Sequence, residues 1–158
     1  MSQESHVVGF RVGRETYGVP IRQVHEIVRV SEITAVPDAP ACIEGVINLR
    51  GRIISILDLR KFFGAKETAA HKKNRILVVE LADKMVGLIV DSASEVLKIP
   101  ASEIDDPPRL FHEEERFYVT GVGKLNGRLI ILIDLARVLD RSQFRKATPG
   151  AEVAPSAA

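Results

Sequence analysis

Apolar residues alternate with polar ones in short bursts along this chain, at the period of strands rather than helices. Residues 6–12 (HVVGFRV) are one burst, and Tyr17, Val19 and Ile21 form the next beyond a turn at Gly13–Glu15. Residues 46–51 (VINLRG) and 52–58 (RIISILD) predict two strands joined tightly at Gly51. Residues 75–82 and 85–93 predict a hairpin about Asp83-Lys84, and residues 117–125 with 128–134 another about Asn126-Gly127. Asn-Gly suits a two-residue hairpin turn because both residues tolerate a positive φ. Residues 29–37 end in Pro37, and Asp38-Ala39-Pro40 predicts a turn. Residues 21–28 (IRQVHEIV) fit either one helical turn or a strand, and both remain open. Helix signals are confined to 58–63 and 134–144, each opening on an Asp that can cap the first turn. Residues 65–73 read as a polar linker, and the Pro/Ala-rich end as a disordered tail over 145–158. Many short strands with tight turns predict an all-β chain of closed barrels, which leave no exposed sheet edge.

The pattern occurs twice. Residues 45–64 (GVINLRGRIISILDLRKFFG) lie over 121–140 (GVGKLNGRLIILIDLARVLD) at an offset of 76, without a gap. Gly45, Val46, Leu49, Gly51, Arg52, Ile54, Asp58 and Leu59 meet identical residues. Upstream, residues 10–30 lie over 79–99 at an offset of 69, with Gly18 over Gly87 and Glu26 over Glu95. The second copy therefore carries about seven extra residues, placed around Arg109–Arg116, where Glu113–Arg116 read as an exposed loop. Two copies make paired subdomains rather than a solenoid. The expected organisation is one domain over 1–144, with subdomains of about 6–64 and 74–140 that are open to exchanging terminal strands, and a groove between them.

Composition narrows the function. The 22 basic and 21 acidic residues are nearly balanced, and residues 1–69 carry nine Lys/Arg against eight Asp/Glu. No basic footprint for nucleic acid is present. The longest apolar run, Leu129–Ile133, falls far short of the ~20 residues a membrane helix needs, and the first residues lack a secretion-signal pattern. A soluble cytoplasmic protein is expected, with no direct membrane insertion. The single cysteine, Cys42, excludes an internal disulfide and reads as a packing residue. His6, His25, His71 and His112 are scattered and show no zinc spacing, and Gly121-Val-Gly123 precedes a hairpin rather than a phosphate-binding helix. Glu103, Asp105 and Asp106 read as a solvated loop rather than a cation site.

Val24, Glu26 and Ile27 (V-x-E-I), Ile33, Val36 and Pro37 (I-x-x-V-P), Gly45–Gly51 (G-V-I-N-L-R-G) and Ile56–Arg60 (I-L-D-L-R) occur in an order that resembles the CheW-type chemotaxis coupling proteins. The resemblance runs to about Phe144. It implies two tandem five-stranded SH3-like barrels with short helices after the NLRG/DLR-type segments. It implies a scaffold without catalytic residues, cofactor or metal, recruited from the cytoplasm to membrane-associated receptor arrays and monomeric when free. The implied partners are the cytoplasmic tip of methyl-accepting chemotaxis proteins and the regulatory domain of a CheA-type histidine kinase. The family's receptor contacts carry over to Val24, Glu26, Gly45 and Arg50; its kinase-binding residues do not carry over to named positions here. The same adaptor in a pathway for surface motility, development or second-messenger control is the alternative.

The residues themselves add detail. Where the first copy has Asn48 and Arg50 the second has Lys124 and Asn126, so these positions are not required by the shared fold. Arg50, at a strand end, can offer a free guanidinium fork to carboxylates, with Val24 and Ile27 edging an apolar groove. It can equally be tied to Glu26 within the chain. His25 and Arg52 are assigned no role. Asp58 and Asp134 resemble a carboxylate pair of a hydrolase, but their equivalent strand-to-helix placement points to helix caps. A small ligand filling the groove between the subdomains is a further rival.

Overall fold

The computed structural model describes residues 4–39, 42–65, 71–109, 111 and 113–141; residues 66–70 of the expected linker, Pro40 of the expected turn, residues 142–144 and the expected tail lie outside the described residues. The strands are β1 (Glu4–Val12), β2 (Glu15–Pro20), β3 (Val24–Arg29), β4 (Ile43–Leu49), β5 (Arg52–Asp58), β6 (Arg75–Leu81), β7 (Lys84–Val90), β8 (Ser92–Pro100), β9 (Ile104–Asp105), β10 (Val119–Leu125) and β11 (Arg128–Ile133). Three short helices join them: α1 (Leu59–Phe62), α2 (Glu113–Tyr118) and α3 (Leu135–Arg141). The all-β architecture and the short helices after the two NLRG-like segments are as expected.

Two sheets form, in the orders β3-β6-β7-β5-β4 and β8-β1-β2-β11-β10-β9. The sheets are not the two repeats. Under the offsets of 69 and 76, β1 corresponds to β6, β2 to β7, β3 to β8, β4 to β10 and β5 to β11. Each sheet thus takes one hairpin from one copy and its remaining strands from the other: β3, β4 and β5 in the first sheet, β8, β9, β10 and β11 in the second. The registers match residue for residue. Val12 faces Glu15 as Leu81 faces Lys84, and the parallel pairs Gly18–Leu132 and Gly87–Ile56 coincide. Even the bulges correspond, lying at Gly9/Phe10 against β8 and at Val24/Glu26 on β3. The two-residue β9 takes the sixth place in its sheet, on β10, where the other sheet has only the Thr34–Val46 bridge on β4.

This exchange explains sequence runs too apolar for half-exposed strands. Along β6, Ile76 and Val78 fill one barrel with Ile47, Ile54, Ile56 and Ile89. Their neighbours Leu77 and Val79 face outward into a larger central core with Val8, Phe10, Leu88 and Leu135. Val7, Leu97, Ile99 and Ile130 fill the other barrel. Strands covered on both faces lose their alternation. Burying the central core also joins the barrels along their exchanged hairpins.

Local differences from the sequence pattern have physical causes. The β6–β7 turn is Ala82-Asp83, not Asp83-Lys84; both residues hold positive φ (48° and 69°), and Lys84 pairs with Leu81. The expected loop at Glu113–Arg116 is helix α2, which takes Phe117 and Tyr118 away from the expected strand. Tyr118 then joins an aromatic cluster with Phe62 and Phe63, and Tyr17 stacks on Phe63 with ring centroids 4.5 Å apart. Residues 21–28 satisfy both readings in turn, a 3-10 turn over Ile21–Gln23 and then β3. The segment after Ser92 is a separate strand, β8, rather than the tail of β7.

Candidate functional site

Arg50 and Glu26 meet. Arg50 opens the β4–β5 turn with φ 51°, followed by Gly51 at 87°, and Asn48 Oδ1 accepts from the Gly51 N–H at 2.8 Å. That turn presents the guanidinium toward β3, at the far edge of the same sheet. Nη1 donates to Glu26 Oε2 at 2.6 Å and Nη2 to Oε1 at 2.7 Å, a bidentate fork. The Arg50 hydrogen bond holds the Glu26 carboxyl below the usual glutamate range, and the nearby charges of Arg50 and His25 act in the same direction. Arg50 therefore does not have the free guanidinium that its turn position suggests. Its side chain is nevertheless 69% exposed, against 23% for Glu26.

The second copy shows what the pair does for the fold. Glu95 follows the corresponding bulge and is paired with Arg128, whose Nη2 donates at 2.9 Å and Nη1 at 3.2 Å. Arg128 occupies the place of Arg52, two residues beyond Arg50, and Asn126 stands in the place of Arg50 at φ 52°. Both barrels thus clasp an edge strand to a hairpin, but the first copy supplies the cation from the apex of its turn.

The remaining predicted residues do not gather around this pair. Val24 packs against the central core. Gly45 is buried at φ 143°, where a Cβ would lie 1.9 Å from the Thr34 carbonyl oxygen, so its place in the fold requires glycine. Ile27 is exposed and, as the neighbour of Glu26 in β3, points to the opposite side of the strand. Ile53 is 66% exposed and its counterpart Leu129 61%, which alternation alone did not single out.

A second polar cluster escaped the sequence reading. Asp58 caps α1 by accepting from the Arg60 N–H at 2.9 Å, and its carboxylate also takes Arg60 Nε and Nη2 at 3.0 Å each. Nη1 of Arg60 donates to Asn74 Oδ1 at 3.2 Å and lies 3.7 Å from Asp91. Asp58 and Arg60 are 1% and 5% exposed. The D-L-R at 58–60 after a strand was its only sequence signal. Asp134 caps α3 in the same way, accepting from Ala136 N–H at 3.0 Å. Each candidate hydrolytic carboxylate is therefore engaged at its own helix start. Burial pushes the Cys42 thiol up, as befits a packing residue.

Residues 6–143 match the family model described as the CheW-like domain. A chemotaxis protein CheW from Klebsiella aerogenes is 34% identical over 135 residues, covering 85% of this chain and 81% of that protein. One from Rhizobium meliloti is 35% identical over 132 residues, covering 84% and 85%. Protein PilI of Pseudomonas aeruginosa is 32% identical over 124 residues, covering 71% and 70%. The crystal structure of the scaffolding protein TtCheW from Thermoanaerobacter tengcongensis superposes with a TM-score of 0.78 at 37% identity, covering 89% of this chain and 94% of that one.

Proposed function

The chain belongs to the family of CheW-like domains, and from that premise we propose that it is a non-enzymatic adaptor joining chemoreceptors to a CheA-type histidine kinase. It works as a single domain over about residues 1–144, in the cytoplasm, at arrays of methyl-accepting receptors. One face binds the receptor tip and another the regulatory domain of the kinase, so that receptor state passes through one rigid body. The observation that carries this is the family match over residues 6–143. The central core that joins the barrels supports the rigid body.

On the receptor face we place Glu26 and Arg50, while Val24 and Gly45 hold β3 and β4 in position and the exposed Ile27 lies on the other side of β3. A receptor tip is a helical hairpin, and an exposed, geometrically fixed charge pair can set the register of its ridge. The test is three-way co-elution of the chain with a receptor-tip fragment and a kinase regulatory fragment from the same genome. A ternary complex that Arg50→Glu reduces to a binary one with the kinase is expected, with thermal unfolding nearly unchanged. Loss of both partners from a folded variant would sink the two-face arrangement. A second reading keeps the adaptor and changes the pathway, because one relative carries the name PilI rather than a chemotaxis name; the kinase fragment that co-elutes decides between them.

A further inference from the structure

One end of the first barrel gathers cations without counter-charges. Arg29 and Arg75 are direct partners in the register of β3 and β6, and Lys72 and Lys73 form the exposed turn just before β6. Like charges set opposite one another across two strands destabilise their pairing. The 69-residue offset supplies the comparison. The corresponding register pair in the second copy is Lys98 with His6, and Glu4 stands in the place of Lys73, 3.8 Å from His6. That copy sets a carboxylate beside its one permanent cation. Arg29, Lys72, Lys73 and Arg75, by contrast, make no ion pair among the described residues.

The backbone of that turn is held in place. His71 N–H donates to Asn74 Oδ1 at 2.8 Å, Asn74 N–H to the His71 carbonyl at 2.9 Å and Lys73 N–H to His71 Nδ1 at 3.1 Å. Arg75 Nη1 closes it from the strand, donating to the carbonyls of Lys72 and Asn74 at 2.9 and 2.8 Å. Asn74 is itself buried against Arg60. The carboxylates around Arg60 and Lys61 are already engaged. Asp58 is held by Arg60, Asp91 by the Gly13 N–H at 2.6 Å with Arg60 3.7 Å away, and Glu44 by Lys61 Nζ at 2.6 Å. Beside the turn opens a cavity of about 500 Å³, walled in part by Lys72 and by the aliphatic side chains of Val30, Ile33 and Ile89. Val30, next to Arg29, is 41% exposed.

We infer that this end of the first barrel binds an acidic segment of a protein partner, with carboxylates on Arg29, Lys72 and Lys73 and an aliphatic side chain in the cavity. Adjacent cations sum their fields, and a segment bearing several carboxylates meets more than one of them at once. A short turn and one register pair offer too few contacts for a nucleic-acid backbone. Apart from His71, the cavity also has no ring on which a base could stack, so its wall suits a peptide. The inference does not depend on the adaptor reading.

The test is fluorescence anisotropy of a labelled peptide, Asp and Glu residues around one central Leu, titrated with the intact chain at physiological salt. Saturable binding with a micromolar midpoint is expected, weakening as salt rises. Amide resonances of Val30, Lys72 and Lys73 should move on addition of the unlabelled peptide. The double variant Lys72→Glu, Lys73→Glu changes only exposed turn positions, and is expected to weaken binding at least tenfold without lowering the unfolding midpoint. Arg29→Thr is expected to weaken it at least threefold while the unfolding midpoint holds or rises, because the like charge facing Arg75 is gone. Four results would each overturn the inference: no saturable binding, full affinity in the folded variants, shifts confined to other surfaces, or equally tight binding of an oligothymidylate of the same charge.

Discussion

At the level of single residues, two ion pairs of similar geometry have opposite consequences because their surroundings differ. Glu26 and Arg50 sit at a surface where water screens them, so their bond directs geometry more than stability. Because the Glu26 carboxyl lies below its unfolded value, the contribution of the pair is complete above that unfolded value and disappears as pH falls through the folded one. A carbon-detected titration of Glu26 should place its midpoint below that of an ordinary glutamate, and Arg50→Ala should move it back up. An ordinary midpoint in the unaltered chain would mean that the fork is not populated in solution. Arg60 is the reverse case. Its removal leaves Asp58 buried with its main charge partner gone, which costs about 3–5 kcal/mol. Urea unfolding of Arg60→Ala should show that loss, whereas Arg50→Ala should leave the midpoint nearly unchanged. The sequence made Arg50 visible through the comparison of copies. It hid the Asp58–Arg60 cluster, because pairing with Asn74 and Asp91 depends on strands distant in sequence.

At the level of elements, the repeat was more informative than local turn chemistry. Asp83-Lys84 looked like a turn by composition, yet the 69-residue offset maps the Gly13-Arg14 turn onto Ala82-Asp83, where the chain does reverse. Helix α2 was not legible because it lies in the inserted segment, for which the first copy supplies no template. The copies also mislead where backbone approach differs. Gly45 and Gly121 occupy one repeat position, but of the two only Gly45 holds a positive φ, and its Cβ would overlap backbone at 1.9 Å rather than touch it at 3.1 Å. A Cβ on Gly45 would break the Thr34–Val46 bridge, whose two hydrogen bonds are each 2.9 Å. At Gly121 the nearest atoms are a side-chain carbon of Ile104 at 3.0 Å and the Asp105 carbonyl oxygen at 3.1 Å. Gly45→Ala should therefore cost more than about 2 kcal/mol, and Gly121→Ala distinctly less. Thermal unfolding of the pair checks this. If Gly45→Ala unfolds like the parent but fails to bind the receptor fragment, Gly45 belongs to the contact surface itself.

At the level of the whole molecule, the duplication announced two similar units but not which strands each would contain. Sequence proximity assigns β1 and β2 to the first copy, whereas their pairing places them between β8 and β11 in the other sheet. The reason is energetic: each hairpin has two apolar faces, and only insertion between strands of the opposite copy buries one face in a barrel and the other in the shared core. Neither half is complete without the other. A fragment ending before the second copy would hold β3, β5 and β4 without the β6–β7 hairpin that bridges them, and its own β1–β2 hairpin would have no sheet to enter. Fragments 1–69 and 70–158 should accordingly be largely unstructured alone, and should recover the strand spectrum of the intact chain when mixed. The intact chain should unfold in one transition, with methyl resonances of Ile54 and Ile130, one from each barrel, lost at the same midpoint. Separate midpoints, or a native spectrum from either fragment alone, would mean that the central core does not couple the barrels. The adaptor would then be a flexible pair of modules, and a signal between its two faces would need another carrier.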